Sequence, residues 1–255
     1  MRTTLPQWRY RLECFKVVRL FRSEKLMGAI MMDAFTTALP TDFRGVVRLF
    51  PLNDLVLFPG VVLPLHIFES RYQEMLENAI AHDELVTMAT LMPGFEHDYF
   101  SRPPVSPFVC VGRVLTHEKT PQGTYDLMLV GLERARIERE IEPVRSYRRA
   151  QVRLLESLSA PDDSSDQRAV ELAEGASNLL PAMQTVIQEL IDHDVSMAAL
   201  TDFLSFYLPL PTETKLQLLA EPDPGSRAEL LSATISEGLS QTGRRSRRPV
   251  DFSDN

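Results

Sequence analysis

The apolar residues of this chain follow two different spacings, one on each side of a polar stretch at residues 157–166. From Val46 to Glu156, short apolar runs between turn residues are typical of strands, whose side chains alternate with a period of about 2. Beyond the polar stretch, apolar residues recur every three or four positions, as on one face of a helix. The change of period predicts a β-rich subdomain over 46–156, a linker over 157–166 and a helical bundle over 167–240.

The strands of the first subdomain are predicted from runs rich in valine, leucine and phenylalanine. A hairpin turn at Pro121-Gln122-Gly123 separates two of them. Close spacing of this kind favours a closed or nearly closed antiparallel sheet. The predicted strands are Val46–Leu49, Leu55–Phe58, Leu85–Met88, Val109–Leu115, Tyr125–Val130 and Ala135–Glu140.

One helix interrupts these strands. Ser70 and Gln73 have the spacing of a capping box, and an apolar stripe from Tyr72 to Ile80 follows at helical intervals. In the second half, Thr212 is a predicted helix cap, and Ser226 with Glu229 is a second predicted capping box. Two further stripes consist of Met183, Val186, Ile187, Leu190 and Ile191, and of Met197, Leu200, Leu204, Tyr207 and Leu208.

The net charge of −8 conceals basic ends and an acidic middle. Residues 1–26 carry +5 and residues 241–255 carry +2, which leaves −15 for residues 27–240. Because nucleic-acid-binding proteins present basic charge on the docking face, the acidic middle makes nucleic acid a poor partner.

The basic ends lack the features of packed structure. The first stretch has no continuous apolar segment, so it does not resemble a secretory signal, and residues 1–45 are predicted to form a disordered extension. An organelle transit peptide, a surface-binding helix and a start codon placed too early are the alternatives. Residues 241–255 are predicted to be a disordered arginine-rich tail.

No run approaches the roughly 18 apolar residues of a membrane span, so no membrane contact is expected. Two cysteines, Cys14 and Cys110, lie far apart without a CxxC motif, which favours a reducing cytoplasm. Cys110 lies in an apolar run and is expected to be a buried small hydrophobe rather than a nucleophile.

Motifs of catalysis are missing from the sequence. It contains no phosphate-binding glycine loop, no nucleophile elbow and no S-x-x-K, and its five histidines are scattered without an HExxH pattern. We therefore expect no catalytic residues, no cofactor and no metal ligands.

The loop from Met92 to Phe100 is the best candidate for contact with a partner. Phe95, Tyr99 and Phe100 lie there among turn residues, and aromatic side chains on a loop supply large apolar contact area. The alternative is that they fold back and plug one end of the barrel. The tail arginines at 244, 245, 247 and 248 could engage an acidic partner or the chain's own acidic body, although a solubilising tail is the simpler interpretation.

The run from Phe50 to Tyr72, FPLNDLVLFPGVVLPLHIFESRY, closely resembles the opening of the N-terminal, substrate-binding domain of the ATP-dependent protease Lon. The resemblance continues at 109–114, at 125–134 and at 147–150, and more weakly at 208–219, so that it extends from 46 to about 239. It implies an α+β fold: a β-rich, PUA-like pseudo-barrel with one prominent helix, followed by a small C-terminal α-helical bundle.

The resemblance also implies roles for single residues. Gly60 and Gly112 suit tight backbone geometry, and Glu69 and Arg71 are expected to pair across the helix start. The apolar residues expected in the core are Leu57, Phe58, Leu63, Leu65, Ile67 and Phe68.

Lon itself continues into an ATPase and a serine–lysine peptidase, and neither set of motifs is present here. The resemblance therefore implies a stand-alone, non-catalytic module that binds polypeptides, unfolded or directed to a protease, as an adaptor in proteolysis or protein quality control. Two alternatives stay open: an enzyme with an unrecognised site in the barrel or the inter-domain cleft, and RNA binding through a PUA-like barrel. The sequence leaves the oligomeric state open.

Overall fold

A computed structural model describes residues 38–92, 94–95, 102–142, 145–156, 165–193 and 195–246. Its first part is a sheet of six strands with one helix, and its second part consists of five helices and a short 3₁₀ turn at Pro181–Met183. The strands are β1 Val46–Leu52, β2 Val62–Ile67, β3 Leu85–Thr90, β4 Phe108–Lys119, β5 Tyr125–Ile141 and β6 Arg148–Leu154. The helices are α1 Ser70–Ile80, α2 Ser165–Leu179, α3 Gln184–Asp192, α4 Met197–Tyr207, α5 Thr212–Ala220 and α6 Pro224–Ser246.

The sheet closes on itself. Its strand order is β2-β5-β4-β3-β1-β6, and β5 also pairs with β6, so five strands form a barrel to which β2 adds an edge. The predicted closure and the mixed α+β class are confirmed. The prediction of a wholly antiparallel sheet is wrong, because β1 and β3 are parallel. Parallel strands need a crossover, and β2 with α1 supplies it.

Two predicted strand positions differ from the structure. The apolar run Leu55–Phe58, whose last three residues are buried, forms no strand, and β2 follows it instead. A side chain of β3 binds the backbone of this run: Leu55 O accepts a hydrogen bond from Thr90 Oγ1 at 2.7 Å. The two strands predicted between 125 and 140 are one continuous strand of 17 residues, β5, which has an irregular register against β6 between Ile137 and Arg139.

The predicted hairpin turn at Pro121-Gln122-Gly123 is confirmed. Thr120 N donates to Thr124 O at 2.8 Å, and Gly123 takes a φ of 81°, where glycine is favoured over other residues. The turn joins β4 and β5, the most extensively paired strands of the barrel.

The buried apolar residues form two cores. Residues at alternating positions of the five closed strands, together with Val62 of β2, form the inner core, since successive side chains of a strand point to opposite faces. A second core joins the outer face of the sheet to α1 and continues into the helical bundle. The inner core consists of Val47, Leu49, Val62, Leu85, Ala89, Val109, Val111, Val130, Leu132, Ala135, Ala150 and Val152.

The apolar stripes predicted for the helices are buried in the second core. On α1, Tyr72, Met75 and Leu76 lie against the sheet. In the bundle, α4 is buried on most of its surface from Leu200 to Phe206, which makes it the central helix. None of the described helices is both long enough and apolar enough to cross a membrane.

The first predicted capping box is wrong. Helix α1 begins at Ser70, with Glu69 as its N-cap residue and without a side-chain cap. The amide of Gln73 does not turn back to the cap but donates to Gly123 O at 3.0 Å. It therefore ties α1 to the β4–β5 hairpin.

The predicted caps of the later helices are also wrong. Helix α6 begins at Pro224, and Asp223 Oδ2 accepts from Ser226 N at 2.7 Å, so the aspartate takes the role assigned to the Ser226–Glu229 pair. Thr212 does not cap α5; its hydroxyl donates to Asp54 at 3.2 Å, which links the bundle to the barrel. Of the three helices with predicted caps, only α6 has a capping side chain, and it lies three positions before the predicted one.

The chain ends lie partly outside the described residues. Residues 1–37 and 247–255 are outside them, as is most of the predicted linker, 157–164. Helix α6 continues to Ser246, six residues beyond the predicted end of the bundle at Ser240. The boundaries of the extension, linker and tail stay predictions.

Candidate functional site

The loop that follows β3 carries exposed apolar side chains. Phe95 is 40% exposed and Met92 is 39% exposed. Tyr99 and Phe100, the other two predicted contact residues, lie outside the described residues. Two fifths of the Phe95 side chain is therefore accessible to solvent, and the predicted contact role of the three aromatics stays a prediction.

The base of this loop is fixed by backbone hydrogen bonds. Leu91 forms an isolated antiparallel bridge with Val105. On either side of the bridge, Met92 N donates to Pro104 O at 2.9 Å and Ser106 N donates to Thr90 O at 2.8 Å. The exposed side chains thus project from a two-stranded stem at the end of the barrel.

A buried arginine supports the same stem. The Arg148 guanidinium on β6 donates through Nη1 to Pro103 O at 2.7 Å and through Nε to Glu140 at 3.0 Å. Hydrogen bonds from a charged donor are stronger than those between neutral groups. Arg148 therefore holds one arm of the stem against the barrel wall.

A second exposed aromatic lies at the end of β2. Phe68, predicted to be in the core, is 45% exposed, so this prediction is wrong. Along β2, Leu63, Leu65 and Ile67 are buried in the core that the sheet shares with α1, and His66 and Phe68 follow the opposite face. Strict alternation was the available signal, and it separates Phe68 from its buried neighbours.

Polar residues flank Phe68 along the chain, and His66 contacts its ring. The His66 ring stacks on it with centroids 6.3 Å apart, and His66 Nδ1 lies 2.6 Å from Asp126 Oδ1 on β5. The predicted pairing of Glu69 with Arg71 is confirmed, with Arg71 Nη2 at 2.9 Å from Glu69 Oε2. An apolar side chain within a polar rim is the usual anatomy of a protein contact site.

A buried charge cluster joins the barrel to the bundle, and sequence reasoning missed it. Arg134 on β5 donates to both carboxylate oxygens of Asp202 on α4, through Nη1 at 3.0 Å and through Nη2. Arg227 on α6 brings its Nε to 3.5 Å from the same carboxylate. All three residues are buried. Burial lowers the pKa of Arg227, the nearby Asp202 raises it in part, and the resulting pKa is about 10.

Cys110 lies beside this cluster, opposite Arg134 in the β4–β5 pairing. It is fully buried, as predicted, and burial raises the pKa of its thiol well above the ordinary value. A thiol that does not ionise is a poor nucleophile and a poor metal ligand. Cys110 therefore serves packing.

The described residues bring together no group of three or more histidine, cysteine, aspartate or glutamate side chains that could hold a metal ion. The histidines stand apart: His82 Nδ1 lies 2.7 Å from Asn78 O, and His193 Nδ1 lies 2.8 Å from Glu189 O, each within its own helical segment.

Comparison with known proteins gives a consistent result. The family described as the ATP-dependent protease La (LON) substrate-binding domain matches residues 46–237. The Lon protease of Escherichia coli K12 is 26% identical over 202 residues, which are 77% of this chain and 25% of that protein. The Lon protease of Anaeromyxobacter dehalogenans is 25% identical over 197 residues, 74% of this chain and 23% of that protein.

Two solved structures share the fold. The N-terminal domain of a Mycobacterium avium complex Lon protease aligns with a TM-score of 0.59 at 19% identity, over 75% of this chain and 98% of that one. A Lon N-terminal domain protein from Xanthomonas campestris aligns with a TM-score of 0.56 at 24% identity, over 74% and 97%. The chain spans about a quarter of the length of the curated proteases and nearly the whole of these isolated domains. With the family matching three quarters of its residues, the chain belongs to the Lon substrate-binding domain family.

Proposed function

We propose that this chain binds polypeptides through exposed apolar side chains of its barrel and catalyses no reaction itself. The observation that carries the proposal is the pair of exposed aromatics, Phe95 on the stem loop and Phe68 at the end of β2, on a domain of a substrate-binding family. Exposed aromatic side chains provide contact area at little cost in conformational freedom. Unfolded chains or chains directed to a protease are the partners that fit, since they present apolar side chains.

Charge supports a polypeptide partner over RNA. Residues 165–240 hold twelve acidic and three basic residues, a net charge of −9. Phosphate backbones are repelled by such a surface. The stem loop and Phe68 both belong to the less acidic barrel, where residues 38–156 carry −3.

We further propose that the chain acts in the cytoplasm as an adaptor in proteolysis or protein quality control. An adaptor must hold a substrate without consuming it, and a surface of apolar contacts meets that need. The buried, unreactive Cys110 is compatible with a reducing compartment. Co-purification of a protease together with its substrates would support this role.

The test compares two single variants with a matched control. Phe95→Ala and Phe68→Ala should each weaken binding to an array of unfolded-protein peptides about fivefold or more, because each removes roughly 1 kcal/mol or more of contact energy. Val170→Ala removes a side chain of similar exposure, 41%, from α2 in the bundle and should leave binding unchanged.

Two results would overturn the proposal. The purified protein could retain no peptide on the array, or both phenylalanine variants could bind as the Val170→Ala control does. Turnover of nucleotide or cleavage of a peptide by the purified chain would instead make it an enzyme.

A further inference from the structure

The contact between barrel and bundle is largely apolar. One continuous core includes Leu57 and Phe58 from the barrel and Leu200 and Leu204 from α4. Apolar burial stabilises such a contact but has no preferred direction. Hydrogen bonds and ion pairs, which are directional, define the rotation of the bundle on the barrel more sharply.

The Arg134–Asp202–Arg227 cluster is directional. Arg134 donates a hydrogen bond to each carboxylate oxygen of Asp202. Such a bidentate contact fixes the plane of the carboxylate relative to β5. Arg227 is held in turn by the carbonyl oxygens of Glu221 and Pro222, at 3.0 Å and 3.1 Å. Strand β5 and helices α4 and α6 are therefore tied at one point.

The same cluster is poorly arranged for stability. Two guanidinium groups share one carboxylate, and Arg134 Nε and Arg227 Nη2 are buried without a hydrogen-bond partner among the described residues. Each unmet buried donor costs free energy, and a buried ion cluster is often no more stable than apolar residues of similar size. A contribution to stability is therefore a weak explanation for the cluster.

We propose that the Arg134–Asp202–Arg227 cluster is an orientation lock: it selects one rotational setting of the bundle on the barrel without adding to the stability of the fold. The two parts then present their surfaces in a fixed relation. The lock does not depend on the proposed function, because its three residues are buried and the exposed aromatic side chains are not part of it.

The test replaces the cluster by apolar residues in the triple variant Arg134→Met, Asp202→Leu and Arg227→Met. Spin labels on cysteines at the exposed positions Glu118 and Glu237 report the distance between barrel and bundle, with Cys14 changed to serine and Cys110 left buried. The unaltered cluster should give one narrow distance distribution. The triple variant should give an unchanged or higher Tm with a broadened or divided distribution.

A control separates orientation from stability. Leu204→Ala in the apolar contact should lower Tm but keep the distribution narrow, because the cluster remains. A triple variant with the original narrow distribution would overturn the lock, as would a Tm lowered as far as that of Asp202→Asn.

A conservative variant decides the matter if the triple variant does not fold. Asp202→Glu keeps the charge and moves the carboxylate by one methylene. The lock predicts a displaced or broadened distance for it, and an unchanged distance would contradict the proposal.

Discussion

Gly131 on β5 lies where the segment before β2 crosses the sheet. Gly60 N donates to Gly131 O and Gly131 N donates to Val61 O, both at 2.9 Å, so the two backbones are in direct contact. A Cβ at this position would lie 2.1 Å from Phe58 O. The close approach explains why the run before β2 is buried and yet forms no strand.

Replacement of Gly131 by alanine should lower the free energy of unfolding by about 3 kcal/mol, at the upper end of the range for overpacking, because the backbone at Phe58 must move. Urea unfolding followed by circular dichroism measures this. Gly238→Ala in α6 is the matched control: its Cβ would meet Leu179 at an ordinary 3.4 Å, and the change should be neutral or stabilising by about 0.5–1 kcal/mol. Equal effects of the two changes would contradict this account.

Among single residues, the exposure of part of the candidate site could be predicted from the sequence. The exposure of Phe95 followed from its place on a loop, and that of Phe68 follows from strand alternation. Arg134 and Asp202 were not predictable, because they are 68 positions apart and charged residues are exposed by default. Buried charges become visible when the tertiary contacts are known.

Among the elements, helix α6 has two candidate start signals in neighbouring residues, and only one of them is used. Ser226 and Glu229 have the spacing of a capping box, but the helix starts two residues earlier, at Pro224, and Asp223 precedes it. Proline at the first helical position is favoured, because its missing N–H would be unpaired there. The Asp-Pro pair is therefore the stronger start signal.

Asp223→Ala should destabilise the protein by about 1 kcal/mol at neutral pH, as expected for loss of a capping aspartate. Hydrogen bonds from Ser226 hold the pKa of Asp223 below its ordinary value. A lowered pKa means that the charged form contributes stability above the ordinary aspartate pKa of about 3.9 and that this contribution is lost as the pH falls through the lowered value.

The difference in Tm between the unaltered protein and Asp223→Ala should therefore shrink in acid, as measured by thermal unfolding from neutral to acidic pH. Glu229→Gln, a change in the cap predicted from spacing, should have little effect at any pH. A larger effect of Glu229→Gln than of Asp223→Ala would restore the predicted capping box.

Strands and helices were predicted correctly where turn residues and apolar periodicity agree with the fold. The β4–β5 hairpin and the stripe of α1 were found because turn residues and periodicity are local. Strand β2 was missed because Pro64 interrupts it, and proline argues against an interior strand. The parallel pairing of β1 with β3 depends on which strands meet after a crossover, which local patterns do not contain.

In the whole molecule, barrel and bundle share one core and one charge cluster. The change of hydrophobic period predicted the two parts, but the contact between them brings together side chains from β5, α4 and α6. Their relative placement was therefore beyond the sequence.

Asp202→Asn removes the charge shared by Arg134 and Arg227 and leaves two buried guanidinium groups side by side. It should lower the free energy of unfolding by about 3–5 kcal/mol, the cost of breaking a buried ion pair from one side. Chemical unfolding monitored by circular dichroism gives the value. Glu138→Gln, which breaks an exposed pair 3.9 Å from Arg153, should cost less than about 1 kcal/mol. If the two variants lost similar free energies of unfolding, the Arg134–Asp202 pair would be screened by solvent as an exposed pair is.

One edge of β2 is not paired with any described strand, which makes it the place where another strand could be added to the sheet. Among the described strands β2 pairs with β5 alone, and Gly131 N donating to Val61 O makes Pro64–Met128 a pair without mutual hydrogen bonds. The nitrogen of Pro64 therefore faces outward, where it has no hydrogen to offer an added strand. A strand added at this edge would lack one hydrogen bond in the middle of its ladder, so the edge is a weakened template for pairing with another chain.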